Sequence, residues 1–401
     1  MAHNNAINSF IGLQSYEAVR WKRHHKQWIE IWLEPRHRLW RCPGCRRLYT
    51  AYYDRLWSSL RDLDIASHRT WLWVPRYRVD CMTCGVRRST MLIARKHARC
   101  TRRFERWLFK LTYGATLKEV SKLTGTDWKM VKDAEIRYIL GLLRKRNIEG
   151  ITDLGIDEVS EKKGHRYLTL VTDIGKRRVI WVGRNRDRKV LRDFFRWFGK
   201  KRTRKIKRVV IDMHDPYELE IRARCPRAAL IYDHFHVIKP LGLAIDNIRR
   251  RLQNELPPEG RRYLKNSRYL LLRPQETLTG HQSVRLRELL ALNETLNMAY
   301  ILKEDLRGVF RLSDPKKARA ELKDWKSRVR ESRIPELLDY VKLLDRRRFG
   351  VMNFFKHRKT NGLSEGLNNV VKTLKKDAYG FHDWKYFRLK ILRKCGKLHD
   401  D

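Results

Sequence analysis

The sequence predicts a multidomain α/β chain: a small cysteine-clipped β head, a short helical unit, a mixed-sheet core and a long all-α segment. Three observations predict it. Two Cys-x-x-Cys pairs fall within the first hundred residues. The apolar period changes from strand-like to helical after residue 100, and back again after Gly150. Aspartates close two apolar β-like runs in a chain that is otherwise very basic.

At 401 residues the chain exceeds one ordinary core and suits two or three domains. Hydrophobic residues make up 42%, with 13 Trp among them, which argues against disorder. Lys plus Arg number 91 against 45 acidic residues, a formal charge of +46. Such an excess repels itself unless a polyanion is near, and favours DNA, RNA or an anionic membrane surface. A membrane span is not expected, since no apolar run approaches the roughly 20 residues needed. The first residues, MAHNNAINSFIG, lack the basic-then-apolar order of a secretory signal, so a cytoplasmic place is expected. Seven cysteines are too few for a disulfide framework in so long a chain. Cys42/Cys45 and Cys81/Cys84 are paired, whereas Cys100, Cys225 and Cys395 are isolated. That distribution suits a metal clip in a reducing compartment.

WIEIWL (residues 28–33) and WLWVPRYRVD (residues 71–80) read as strands leading to CPGC and CMTCG. Two residues between thiolates let both sulfurs reach one tetrahedral ion, and the glycines permit the tight knuckle turn. A four-cysteine zinc ribbon on Cys42, Cys45, Cys81 and Cys84 is therefore expected; four buried thiols would not need paired spacing. Its zinc would be structural, because four protein ligands leave no open position. His68 and His97 stay outside the ligand set. From Thr101 to Arg144 the pattern is helical. Leu117, Val120 and Leu123 share one side of a short helix, Thr124-Gly125 turns the chain, and Thr126 or Asp127 can cap the next helix. Trp128, Val131, Ile136 and Ile139 supply that helix with an apolar face. This is the outline of a helix-turn-helix, with Lys129 and Lys132 as candidate DNA contacts; an ordinary helical hairpin is the alternative.

After Gly150, ITDLGIDEVS gives a strand ending at Asp157. GHRYLTLVTD and KRRVIWVGR add two strands that reverse near Ile174-Gly175-Lys176. RKVLRDFFRWFG is an amphipathic helix burying Leu191, Phe194, Phe195 and Phe198. KIKRVVIDM is a buried strand ending at Asp212, Pro216 opens a helix, and AALIYD is a fifth strand ending at Asp233. The order βββαβαβ, with acids on the first and fourth strands, is that of a ribonuclease-H-like fold. Equivalent ends of neighbouring strands would bring Asp157 and Asp212 together across 55 residues. Hard Mg2+ or Mn2+ prefers carboxylate oxygen, and two such ions can run an in-line phosphoryl transfer. Capping or ion-pairing aspartates are the bland alternative. Glu158 points away from Asp157 in a continuing strand and is expected to support rather than ligate. Asp215 is expected to be a local cap. Asp233 and His236 can reach the edge of the site as supporting groups. Seven of the nine residues from Lys200 to Arg208 are basic, which suits a contact to a DNA backbone.

From Val237 to about Phe355 the chain reads as three mixed-charge helical stretches broken at PPEG, RPQE and SDP. Ser364 can then cap a helix whose spacing puts Glu365, Asn368, Asn369 and Lys372 near one face, with Lys376 beyond. Glu365 supplies a third carboxylate for a metal, while Asn368, Asn369, Lys372 and Lys376 are candidate DNA contacts. Thr360 and Asn361 are candidate phosphate contacts, and Tyr379-Gly380-Phe381 marks a turn.

The segments CPGC with CMTCG, GIDEVSEKKGHRY, VVIDMHDPY, YDHFHVIK and TNGLSEGLNNVVKTLKKDAYGF resemble, in order, those of DDE transposases of the ISL3 family of bacterial insertion sequences. The resemblance runs from Cys42 to Phe381. It implies Asp157, Asp212 and Glu365 as a catalytic triad, with Asp233 and His236 matching a secondary D-x-x-H signature. It further implies recognition of double-stranded DNA at terminal inverted repeats, strand cleavage, and joining of the freed 3′-hydroxyl to target DNA. Two Mg2+ or Mn2+ ions, a structural Zn2+, a homodimer in the DNA complex and association with the nucleoid go with it. The helical insertion would interrupt the ribonuclease-H-like core before its last acidic helix. Expected domains are thus 1–100 (zinc ribbon), 101–148 (helix-turn-helix), 149–236 (first part of the core), 237–355 (all-helical insertion) and 356–401 (final acidic helix and tail). A structure-specific nuclease without strand transfer and a non-catalytic DNA-binding regulator are the rival readings.

Overall fold

The computed structural model describes residues 2–25, 27–162, 166–362, 364–378 and 381–398. It divides into two compact units, residues 1–145 and 146–401. Among the described residues, no helix is long and apolar enough to cross a membrane. The expected turn at Tyr379-Gly380 and the hydroxyl of Ser364 lie outside what is described.

The first unit opens with helix α1 (Ala2–Ile11) and strands β1 (Tyr16–His24), β2 (Trp28–Pro35), β3 (Trp40–Arg41), β4 (Leu48–Tyr49), β5 (Asp54–Ile65), β6 (His68–Cys81) and β7 (Gly85–Arg88). Its main sheet runs β1-β2-β6-β5, with β7 beside β6; β2 and β6 are parallel and the other pairs antiparallel. Ile31, Leu33, Leu60, Leu72 and Val74 alternate inward to form its core. Sequence reading finds β2 and β6 but misses β1 and β5. The reason is physical: β1 buries only Ala18, so its residues carry no alternation. Helices α2 (Arg102–Leu111), α3 (Leu117–Thr124) and α4 (Trp128–Lys145) follow, around Phe104, Leu108, Val120, Val131 and Ala134. Buried Asp62 joins sheet to helix, accepting from Thr101 Oγ1 at 2.5 Å and pairing with Arg103.

In the second unit, β8 (Asp153–Lys162), β9 (Arg166–Asp173) and β10 (Arg178–Arg184) form an antiparallel meander. Helices α5 (Arg188–Phe198) and α6 (Lys200–Thr203), strand β11 (Arg208–Ile211), helix α7 (Asp215–Arg224) and strand β12 (Ala229–Tyr232) complete the sheet region. The order is β10-β9-β8-β11-β12, with β11 parallel to both β8 and β12, as expected of a ribonuclease-H-like sheet. The basic run between Lys200 and Arg208 is partly engaged within the unit: Arg202 pairs with Glu149, and Arg208 with Asp153.

The all-α part comprises α8 (His234–Glu255), α9 (Pro258–Leu264), α10 (Arg268–Leu272), α11 (Gly280–Ala291), α12 (Glu294–Arg311), α13 (Pro315–Ser332), α14 (Pro335–Arg346) and α15 (Arg348–His357). Two of the expected helical stretches are in fact two helices each. Asn293 caps α12 through a bond from Leu296 N–H to its side chain, and left-handed Arg333 followed by Pro335 ends α13. One apolar cluster runs from the sheet into these helices, from Leu154 through Trp325 to Phe355. Helices α16 (Ser364–Asp377) and α17 (Trp384–Cys395) return to the sheet beside β8 and β10.

Helix α15 lies on β12 because residue 350 has no side chain: a Cβ there would meet Tyr232 Cδ2 at 2.3 Å. Gly350→Ala is expected to cost about 1–3 kcal/mol by overpacking. Gly308→Ala, in open space within α12, should instead stabilise by about 0.5–1 kcal/mol. Chemical denaturation of the two variants checks this, and equal shifts would remove the packing argument.

Candidate metal centres

The parallel register aligns the core acids. Arg208, Val209 and Val210 of β11 face Asp153, Leu154 and Gly155 of β8, an offset that puts Asp212 level with Asp157. Ile211 faces Tyr232, which puts Asp233 on the same level at the end of β12. Residues level across a pleated sheet point to one face. The strand does not end at Asp157, as expected from sequence. It runs on to Lys162 against β9, with Asp157 opposite Leu170, and only the pairing with β11 stops at Gly155. Charged residues after Asp157 look like a strand end, yet Val159 and Glu161 remain buried on the hairpin.

Ligand atoms of Asp157, Asp212 and His236 all lie within 4.8 Å of one another. His236, on the first turn of α8, brings Nε2 to 3.1 Å from Asp212 Oδ1. Asn368 Nδ2 of α16 donates to Asp157 Oδ2 at 2.9 Å, while its Oδ1 is buried without a partner among the described residues. Burial, then the carboxylates of Asp157, Glu158 and Asp233, push Asp212 up to about 8. Burial also holds His236 below its ordinary value, leaving a neutral imidazole able to ligate. Five other buried carboxylates are matched by arginine: Asp62 by Arg103, Glu105 by Arg95, Glu161 by Arg184, Glu220 by Arg224, Asp246 by Arg249. Among the described residues, no Lys or Arg ion pair reaches Asp157 or Asp212. Oxygen and imidazole donors around unneutralised charge fit a hard divalent cation.

The other expected site residues separate into groups. Glu365 is exposed on the first turn of α16 and is not part of the cluster; Asn369, Lys372 and Lys376 continue its exposed stripe. Asn368 turns toward the sheet beside buried Val371 and Leu374. Asp233 is committed to structure, accepting from Phe235 N–H at 3.1 Å and from Asn361 N–H at 2.8 Å. Burial acts upward on Asp233, but bonds from His234, Asn361 and Phe235 outweigh it and hold the group low. Asn361 is buried, so it is not the surface phosphate contact expected from sequence. Asp215 is not a cap but the first residue of α7, paired with Arg347. Glu158 sits aside with Arg186 at 3.6 Å and His214 at 3.7 Å, as a supporting group would. Sequence reading missed the contact of Asn368 to Asp157 because nothing in a helical wheel tells which edge meets the sheet.

In the first unit, Cys42, Cys45, Cys81 and Cys84 offer sulfurs within 4.8 Å of one another, fitting the structural zinc expected. The β3–β4 hairpin carries the first pair and the β6–β7 turn the second. Gly44 admits the approach, since a Cβ there would lie 2.7 Å from Cys84 Sγ. A bond from Tyr49 Oη, 3.1 Å away, holds the Cys81 thiol low, while burial pushes Cys84 up. Four thiolates this close need a cation.

The helical part of that unit has Thr116 and Glu119 in a reciprocal cap and left-handed Gly125 between α3 and α4. Asp127 caps α4 through Lys129 N–H. Leu123 and Trp128, expected inside, are 69% and 55% exposed. Lys129 is exposed and Lys132 half-buried on α4.

Comparison with known proteins agrees with this division. Residues 154–391 match a family model described as a transposase. Residues 38–84 match the zinc finger of the IS204/IS1001/IS1096/IS1165 transposases, and residues 93–139 the helix-turn-helix domain of transposase family ISL3. The chain is 33% identical to the transposase for insertion sequence element IS1001 of Bordetella parapertussis, over 98% of each chain. It is 31% identical to the transposase for IS1557 of Mycobacterium tuberculosis, over 85% of this chain and 82% of the other.

Two outcomes are expected of these centres. One zinc per chain should be released by a chelator from the native protein and none from Cys81→Ser, as read with a zinc-sensitive dye. The folded value of Asp212, about 8, lies above the ~4 of an unfolded aspartate. Its carboxyl therefore costs stability progressively as pH rises through that window. Asp212→Asn should raise the Tm of metal-free protein more at pH 8 than at pH 5, and an equal gain at both would remove the assignment.

Proposed function

The chain belongs to the ISL3 family of transposases, and from that premise we propose that it cuts the ends of a DNA element and joins them to target DNA. It is a DDE-type enzyme acting on DNA, with a metal-binding cluster at Asp157, Asp212 and His236 and a helix-turn-helix domain. The observation that carries the finer reading is the pair of level aspartates left without an arginine in a chain of charge +46.

Asp157 and Asp212 hold the reaction centre, and Glu365 completes it as the third carboxylate. Two Mg2+ or Mn2+ ions held by these carboxylates would supply Lewis-acid polarisation of the attacking and leaving oxygens. His236 fixes one Asp212 oxygen by its contact, and Asn368 fixes Asp157, so neither carboxylate has to be ordered at the moment of reaction. In the first step water attacks the phosphorus at the element end, the P–O3′ bond breaks and a 3′-hydroxyl is freed. In the second, that hydroxyl attacks a target phosphate and displaces a target 3′-oxygen, so no covalent enzyme intermediate is required. Asn369, Lys372 and Lys376, on the exposed stripe of Glu365, meet the backbone beside the scissile phosphate. The zinc ribbon and the helix carrying Lys129 and Lys132 bind the terminal inverted repeats. A homodimer follows from the need to cut two ends in concert, and DNA binding keeps the protein with the nucleoid.

The test is incubation with inverted-repeat duplexes from the DNA flanking its own gene, in Mg2+ or Mn2+. The wild type should give 3′-end cleavage and joined products; Asp157→Asn and Glu365→Gln should lose both while still shifting the duplex on a gel. Cleavage without joining would favour a nuclease, and binding alone a regulator. Lys372→Ala with Lys376→Ala should weaken binding and lower the salt slope by about two.

A further inference from the structure

A cavity of about 380 Å³ opens between α8, α12 and α15, lined by His234, Arg307, Phe310, Arg311, Phe354 and Arg358. One wall is aromatic. His234 stacks on Phe354 at 5.2 Å and 26°, and Phe310 lies 5.7 Å from Phe354. The rim is cationic. Arg358 crosses the Phe354 ring at 5.2 Å and is held by the carbonyls of Phe310 and Arg311 at 2.9 and 3.0 Å. Arg307 is shared between Glu304 and Glu276, and Arg311 pairs with Glu276, so three guanidinium groups face two carboxylates. An inorganic anion needs no aromatic wall, and an apolar ligand needs no guanidinium rim. A nucleotide uses both: a base stacks on rings of any sequence, and arginine takes its phosphate.

The cavity is tied to the catalytic end of the sheet. His234 follows Asp233 directly and precedes catalytic-cluster His236 by two residues on the same helical turn. Thr360, also on the cavity wall, precedes Asn361, whose N–H is bonded to Asp233. Two helical residues span ~3 Å along the axis, on opposite sides of a helix ~10 Å wide. That is a distance of one or two nucleotides along a strand.

We propose that this cavity receives one nucleotide unstacked from the DNA at the cleavage site, its base on the His234–Phe354 wall and its phosphate at Arg311 and Arg358. The proposal rests on the transposase reading. Extruding a nucleotide separates the strands at the junction and lets the scissile phosphate reach Asp157 and Asp212, which a closed duplex keeps at the width of its groove.

The experiment places 2-aminopurine at each position across the junction of an inverted-repeat duplex, bound to full-length Asp157→Asn protein. Fluorescence should rise several-fold at one position, and fall back to that of free duplex in Arg311→Ala and in His234→Ala although the gel shift persists. A mismatch opposite that position should tighten binding several-fold with Arg311 present and not with Arg311→Ala. Duplex bound with no position brightening, or brightening unchanged in both variants, overturns the cavity assignment alone. No binding to any inverted-repeat duplex overturns it together with the transposase reading.

Discussion

The parallel register of β8, β11 and β12 is the constraint from which the rest of this site follows. Its constant offsets carry Asp157, Asp212 and Asp233 to one level and one face. Val209, Val210, Ile211, Leu230 and Ile231 are buried on both faces of the sheet, and their packing holds the two parallel strands in place. Hydrophobic burial therefore enforces an electrostatically unfavourable arrangement. Asp212 registers that cost by holding its proton up to about 8, driven first by burial and then by its acidic neighbours. Asp233 escapes it by accepting from the Phe235 amide of α8 and from the Asn361 amide.

Charge is allocated unevenly elsewhere in the chain. Asp246 alone is approached by Arg249 at 2.8 Å, Arg250 at 3.0 Å and Arg268 at 3.5 Å. Glu220 has Arg188, Arg192 and Arg224 around it. A protein with arginine to spare for such groups leaves Asp157 and Asp212 to an imidazole and an amide. Neither partner cancels a negative charge at neutral pH, which keeps the place open for a divalent cation. The same surplus of Lys and Arg, spread over the surface, suits a substrate whose charge is negative along its whole length.

Much of this was legible in the sequence, and what was not has identifiable causes. The CPGC and CMTCG knuckles are local signals, and the sulfurs meet where their spacing says. Asp212 was legible because it follows directly on a buried apolar strand, and Asp157 because it stands out in an apolar run, although its strand continues to Lys162. Strand β1 was not, since eight of its nine residues are at least partly exposed and its sequence alternates with nothing. Leu123 and Trp128 were read inward because an apolar residue at helical spacing usually is; here they stand outward on the helix-turn-helix. His236 was expected only to support, and joins the cluster because α8 begins at once after β12 and its first turn points back at Asp212. Asn361 shows the opposite error: a polar residue in a TNG loop looks like a surface contact, yet it is buried to satisfy Asp233.

The outward position of Glu365 follows from the same electrostatics. Burial first, and then the charges of Asp157, Glu158 and Asp233, push Asp212 up, so a further carboxylate brought there would be repelled as well. A third acid on the first turn of α16 is better solvated than placed beside them. The helix itself is already docked, through Val371 and Leu374 packed inward and the amide of Asn368 on Asp157. Asn368 can make that bond where Glu365 cannot, because an amide donates to a carboxylate while another carboxylate repels it. A divalent cation held by Asp157 and Asp212 would attract a carboxylate that those two groups alone repel. Glu365 and Asn368 stand three residues apart on α16, so the helix that bonds Asp157 is also the one that carries the third carboxylate of the proposed triad.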